Sequence, residues 1–293
     1  MSARRLLQSV AAIKTADGAG VRLRRSIGFG RGLSFDPFLL LDEFSSDDPD
    51  DYIAGFPDHP HRGFETVTYM LDGVMRHEDH LGHRSDLGPG AVQWMRAGRG
   101  IIHSEIPQQR NGRMRGFQLW INLPAAEKMS PPAYLEFAAS QIPEAEDAAR
   151  NRLRLIAGEL KWSGTALAGP INAARDRATD PFFIDLELTA NAATAIPLPP
   201  DHQGLIYLFE GTLVEVGSGR EALDSQHLGA LSKGGELQLR AGPDGARLLL
   251  LAAAAICEPV VRYGPFVMNT RAEIEQAIAD YRDGLLMIPE SRG

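Results

Sequence analysis

Two short stretches hold the residues with the most chemical potential. "DHPHRGFETVTYMLDG", residues 58 to 73, places His59 and His61 two apart and Glu65 four residues after His61. "GRGIIHSEIP" places His103 and Glu105 two apart among strand-forming isoleucines. Side chains alternate faces along an extended strand, so residues i and i+2 point the same way. Each pair therefore shares a face, and two such pairs on adjacent strands of a narrow barrel could converge on one ion. The resulting donor set, His59, His61, His103 and Glu105, suits Fe, Mn, Ni, Cu or Zn better than Mg or Ca. A structural zinc site is four-coordinate and closed. The same donors around iron leave up to two octahedral positions for water, substrate or dioxygen. Glu65 keeps the strand parity of His59 and His61 and competes for the carboxylate place, as a ligand, a supporting group or a base. His77, His80 and His83 crowd "MRHEDHLGHRSD", which reads as an exposed, solvated hairpin around Leu81-Gly82; His202 has no obvious partners and His227 receives no assignment.

The elements that must position these groups read as short strands. "TVTYML" is rich in β-branched and aromatic residues, and Asp72-Gly73 after it is a strong turn signal. "DLGPGAVQWM" is a Gly/Pro turn followed by a strand. The pattern recurs: "YMLDGVM" resembles "YLFEGTL", and "LGPGAVQWMRAG" resembles "LGALSKGGELQLRAG". A period near 140 residues is too long for a solenoid and points to two similar domains. In the second copy Pro197 and Pro199 stand where His59 and His61 stand, and Arg247 and Leu249 where His103 and Glu105 stand, so that copy is expected to be metal-free. The predicted division is an N-terminal metal-binding domain over 1–137, a connector over 138–150, and a C-terminal domain over 151–293 that includes a terminal helix. That helix opens with a Thr270/Glu273 capping box, carries Ile274, Ala277, Ile278 and Tyr281 at helical spacing, and stops at Gly284.

Thirty glycines and nineteen prolines favour a β-rich fold, and 44% hydrophobic residues suffice for a sizeable core. A net charge of −8 argues against direct nucleic-acid binding. The runs Arg22, Arg24, Arg25 and Arg110, Arg113, Arg115 read as solvated charge. One cysteine excludes an internal disulfide, and Cys257, in an apolar run, reads as a buried small hydrophobe. The longest apolar run, Leu248 to Ile256, is far short of a membrane span, and a cytoplasmic protein with no membrane contact is expected.

"FPDHPHRGFETVTYMLDG", "GPGAVQWMRAGRGIIHSE", "GFQLWINLP" and "EPVVRYGPFVMNT" resemble the pirin family of the cupin superfamily, and the likeness runs from "DGAGVRLRRSIG" to the last helix. The resemblance implies an all-β bicupin, two antiparallel β-barrels of the jelly-roll kind packed face to face, with a C-terminal helix. It also implies one mononuclear iron in the N-terminal barrel, on His59, His61, His103 and Glu105. Two functions follow from it. The first is a quercetin 2,3-dioxygenase, with a flavonol and dioxygen as substrates and carbon monoxide released, Glu105 serving as ligand and base and Glu65 as runner-up base. Phe56, Phe64, Trp94 and Met95 are candidates for an apolar mouth. The second is an iron-dependent regulatory module for a transcription factor or metabolic enzyme, which needs an exposed patch near the metal; Arg62 and Arg99 flank the ligand motifs.

Overall fold

In a computed structural model, residues 2–28, 34–171, 178–219 and 221–287 are described. Almost every regular element is a strand, as the β-branched and aromatic runs and the frequent turns predict. The chain forms two compact units, each made from two segments: Lys14–Ala139 with Ile256–Gly293, and Met1–Ile13 with Ser140–Ala255.

The unit that carries the histidines has a seven-stranded and a four-stranded sheet. The larger one runs, in spatial order, Ala133–Phe137, Val92–Arg96, Phe64–Asp72, Met114–Asn122, Phe38–Ser46, Val21–Ile27 and Ile13–Asp17. The smaller runs Phe56–His61, Ile101–Pro107, Met75–Asp79 and Arg84–Leu87. Val21, Leu23, Phe44, Met70 and Met114 of the larger sheet and Met75 and Leu87 of the smaller join one apolar core. A sheet must bury one face against another layer, and here the two sheets bury theirs on each other.

Two glycines set the strand boundaries near the histidines. Gly73 takes φ 84° in the Asp72-Gly73 turn. Gly63 takes φ 89°, and a Cβ there would meet Val267 O at 1.9 Å. Only glycine fits that approach, so the histidine strand ends at His61 and Phe64 opens a strand of the other sheet.

The predicted division differs from the structure at both termini. Leu6–Ala11 pairs with His227–Leu231, and buried Arg4 donates to the carbonyls of Pro199, His202, Ser232 and Gly234, so the N-terminal segment completes the other unit. The expected connector is structured: Glu144–Glu146 pairs with Arg152–Ala157. The helix Arg271–Arg282 belongs with the histidine unit. Its capping box forms, with Thr270 accepting from Glu273 N and Glu273 accepting from Thr270 N. Ile274 and Ala277 pack with Phe266, Met268 and Leu286, while Ile278 and Tyr281 of the predicted apolar face are exposed. In the other unit a nine-stranded sheet encloses an apolar cluster that includes Trp162, Leu186, Leu208 and Leu250.

Candidate metal centre

His59 and His61 lie on the Phe56–His61 strand, which pairs antiparallel with Ile101–Pro107 so that His103 sits opposite His59. The predicted adjacency of the two pairs is thus met by strand register. The three imidazoles offer ligand atoms all within 4.8 Å of one another. Ring centroids lie 4.6 Å apart for His59–His61, 4.4 Å for His59–His103 and 5.0 Å for His61–His103. His59 Nδ1 lies 2.8 Å from Pro57 O and donates to it, which leaves Nε2 bare at 3.0 Å from His61 Nε2. Two ring nitrogens this close need a proton or a cation between them. His103 Nε2 is buried with no hydrogen-bond partner among the described residues. Burial, and then the neighbouring imidazoles, hold His61 and His103 well below the ordinary histidine range. Neutral imidazoles are the form that binds a metal. Ring nitrogens that converge within 4.8 Å, one of them buried without a hydrogen-bond partner, fit a transition-metal ion.

The two carboxylates are placed differently. Glu105 is buried and turned to the side of the triad: its Oε1 lies 2.6 Å from Thr68 Oγ1, and its Oε2 accepts from Gln118 Nε2 at 3.2 Å. It is not in the three-histidine cluster, yet it lines the same cavity as His59 and His61. The register slips by one residue on the Phe56–His61 strand, so Glu105 sits opposite Phe56 rather than Pro57, while His103 and Glu105 keep regular pairing with Met75–Asp79 on the other side. Glu65 accepts from Trp94 Nε1 at 2.9 Å and Arg96 Nε at 3.0 Å, and it does not line that cavity. Its parity with His61 is interrupted at Gly63, so the two do not share a strand.

The cavity has a volume of about 820 Å³, within the size range of small-molecule sites. Leu23, Leu40, Phe44, Phe56, Met75 and Trp120 give it apolar walls. Of the four apolar residues singled out by sequence, Phe56 lines it; Phe64, Trp94 and Met95 are core.

Known sequences and structures match this chain along nearly its whole length. The Pirin profile matches residues 20–121, and the profile for the Pirin C-terminal cupin domain matches residues 183–287. A Pseudomonas aeruginosa protein named "Putative quercetin 2,3-dioxygenase" is 52% identical over 93% of this chain and 94% of its own. The chain belongs to the pirin family. A pirin-like protein of Caulobacter vibrioides is 47% identical, over 97% of this chain and 99% of its own. A crystal structure of quercetin 2,3-dioxygenase from Acinetobacter baumannii superposes with a TM-score of 0.87 at 32% identity, covering 97% of this chain and 98% of that one. Two cupin domains, mostly β, are therefore the architecture of this pirin.

Several residues of the pirin site escape a reading of the sequence. Trp120 packs edge-on to His61, with ring centroids 5.1 Å apart, and the Arg262 guanidinium lies over its ring at 4.5 Å. Burial lowers Arg262 to about 9. Arg25, expected in solvent, lines the cavity and clamps Asp42 through two hydrogen bonds of 2.8 and 2.6 Å. Burial, against the pull of Arg25, pushes Asp42 up to about 6. Arg115, also expected in solvent, is buried against Glu43 at 3.0 Å. Arg62 is buried too, ion-paired with Asp280 of the helix at 2.7 Å. Cys257, expected in a core, is exposed. The hairpin after Asp72 is not uniformly solvated. His77 is fully buried and Asp79 has a fully buried side chain, although His83 is partly exposed. Burial pushes Asp79 up, but hydrogen bonds from His77 and His83 outweigh it and hold the carboxyl at about 2. The signal was the "HED" triplet: in a strand, His77 and Asp79 share a face.

In the other unit, Arg247 pairs with Asp185 through hydrogen bonds of 3.1 and 2.8 Å, and Leu249 is buried. His202 lies 3.3 Å from Asp180. Among the described residues, the cluster of His59, His61 and His103 is the one group of three or more donors close enough to hold a metal.

Proposed function

We propose that this pirin is a quercetin 2,3-dioxygenase-type oxidoreductase that holds one mononuclear iron on His59, His61 and His103, with Glu105 as fourth ligand and base. The observation that carries this reading is the cluster of three imidazoles, two of which, His59 and His61, line one apolar-walled cavity together with Glu105. Mn, Ni, Cu and Zn suit the same donors and are the alternatives that metal analysis separates. When bound, the metal supplies Lewis-acid polarisation of the reactants.

The protein's own groups do the rest. The apolar walls accept the rings of a flavonol and exclude water, with Trp120 and Phe56 offering flat faces. A flavonol must lose its 3-hydroxyl proton to react as an enolate. Glu105 takes that proton on a carboxylate oxygen, leaving an electron-rich carbon for dioxygen. Cleavage then incorporates both oxygen atoms and releases carbon monoxide. Thr68 and Gln118 hold the Glu105 carboxylate within the cavity. A cytoplasmic location fits a chain with one cysteine; no helix among the described residues is long and apolar enough to cross a membrane.

Oxygen uptake with a flavonol, measured on iron-loaded protein alongside metal analysis, tests this. Flavonol-dependent uptake is the expected result, with His103→Ala losing most of the metal and His80→Ala keeping it. Full metal occupancy in a His59→Ala/His103→Ala double variant overturns the ligand assignment. No flavonol-dependent uptake by iron-loaded wild type overturns the enzyme and favours a metal-dependent binding protein.

A further inference from the structure

Next to His103 stands a line of hydrogen-bonding groups that do not line the cavity and that the proposed reaction does not use. His103 Nδ1 lies 3.3 Å from His77 Nδ1. His77 Nε2 lies 3.3 Å from Asp79 Oδ2. His77 is fully buried, and its ring stacks on Tyr134 at 4.6 Å and 24°. Tyr134 stacks on His83 as well, at 5.0 Å, and is itself hydrogen-bonded to Ser85 and Glu136. Strand pairing fixes the row, with Ile101–Pro107 lying beside Met75–Asp79 so that His103 faces Asp79 and Glu105 faces His77.

The direction of each bond follows from what the groups can donate. An ionised carboxylate only accepts. Asp79 Oδ1 accepts from the backbone N–H of Leu81 at 2.9 Å and of His83 at 3.0 Å, and Oδ2 accepts from His83 Nδ1 at 2.8 Å. His77 Nε2 must then donate to Oδ2. An uncharged imidazole that donates from Nε2 accepts at Nδ1. His103 Nδ1 therefore carries the proton and donates it to His77, and His103 Nε2 is bare. That bare atom is the buried, unpartnered nitrogen described above.

We infer that Asp79 and His77 are positioning residues that lock His103 in the Nδ1–H tautomer and so present Nε2 to the metal. The inference rests on the reading of His59, His61 and His103 as metal ligands. Packing alone does not require it: a phenyl ring at 77 would fill the same space against Tyr134.

Asp79→Asn is the decisive variant, because the surroundings choose which way its amide points. The two backbone N–H groups of Leu81 and His83 take the carbonyl oxygen at the Oδ1 position. The NH2 then occupies the Oδ2 position and donates to His77 Nε2. The proton on His77 moves to Nδ1, which donates to His103 Nδ1, and the His103 proton moves to Nε2. One oxygen-to-nitrogen exchange reverses both tautomers and blocks the ligand atom without changing shape.

The test is metal affinity of the full chain, by competition of cobalt(II) against a chelator, together with the visible ligand-field spectrum at saturation. Asp79→Asn and His77→Phe are each expected to weaken cobalt(II) about 10- to 100-fold and to alter the spectrum. Asp86→Asn makes the same chemical change on the same hairpin, at an exposed carboxylate paired with Arg76, and is expected to match wild type. Nitrogen-15 shifts of the imidazoles in metal-free Asp79→Asn provide a second readout: the proton should sit on Nε2 of His103, against Nδ1 in wild type. Wild-type affinity and spectrum in both Asp79→Asn and His77→Phe overturn the inference, as does an equal loss in Asp86→Asn. If wild type fails to bind cobalt(II), the ligand reading falls and the inference with it. If wild type binds tightly and the variants do too, only the inference falls. Should His77→Phe fail to fold, Asp79→Asn and its imidazole shifts decide the matter alone.

Discussion

Glu105 spends both carboxylate oxygens on neighbours, Thr68 and Gln118, that hold it in the cavity beside the imidazoles. Glu105→Gln keeps that shape and removes charge and basicity. Flavonol turnover is expected to fall about 10²-fold or more while the three histidines retain part of the metal. Oxygen uptake and metal analysis on one sample check this; wild-type turnover at normal iron content removes Glu105 as the base. The imidazoles themselves set a pH limit. His61 and His103 titrate below their ordinary value in the folded, metal-free protein. The unfolded chain therefore binds more protons below about pH 6.5, and stability falls as pH drops through that value. The slope approaches about 1.4 kcal/mol per pH unit for each imidazole until the folded form takes up protons too. Stability above pH 6.5 is unaffected by these two groups. Urea midpoints of metal-free protein between pH 7.5 and 5 measure the fall, and His61→Phe is expected to make it shallower. A flat profile in wild type contradicts the burial of neutral imidazoles.

The strands near the histidines are held by a buried ammonium. Lys128 Nζ donates to Gly63 O at 2.8 Å, Asn122 Oδ1 at 2.7 Å and Val267 O at 3.0 Å, and burial brings it down to about 8. Lys128→Met strands three acceptors, and a loss of about 3 kcal/mol is expected, read as a lower urea midpoint. An unchanged midpoint denies the bracket its role. Little of this bracket is legible in the sequence, because Lys128 sits in a polar turn and its partners are 65, 6 and 139 residues away. The histidine strands were legible for the opposite reason: alternation at i, i+2 is local, and the pairing of His103 with His59 follows once both strands exist. Glu65 misled because alternation holds only within a strand, and the left-handed Gly63 ends that strand between His61 and Glu65. The His77–Asp79 pair was hidden because a polar triplet in a charged hairpin looks solvated until a neighbouring strand covers it.

Across the whole chain, the repeat in the sequence gives two domains but not how the ends are shared. Leu6–Ala11 resembles any short edge strand, and only an available partner at His227–Leu231 decides where it goes. The last segment returns to the histidine unit and provides Arg262, Tyr263, Gly264 and Pro265 to the cavity lining, Asp280 to Arg62, and Val267 to Lys128. A chain ending at residue 255 is expected to keep a protease-resistant core within 140–255 and to lose metal binding. Limited proteolysis and metal analysis check both, and full metal retention by the shortened chain contradicts the division. The shared ends also bear on how the protein is made. Arg262 leaves the ribosome 159 residues after His103. At ordinary elongation speeds the interval is on the order of ten seconds. Throughout that interval the nascent chain presents three imidazoles to its surroundings with one wall of their pocket still unsynthesised. Any ion captured then is chosen by what is free in solution rather than by the finished cavity, so faithful metal selection belongs to the time after release.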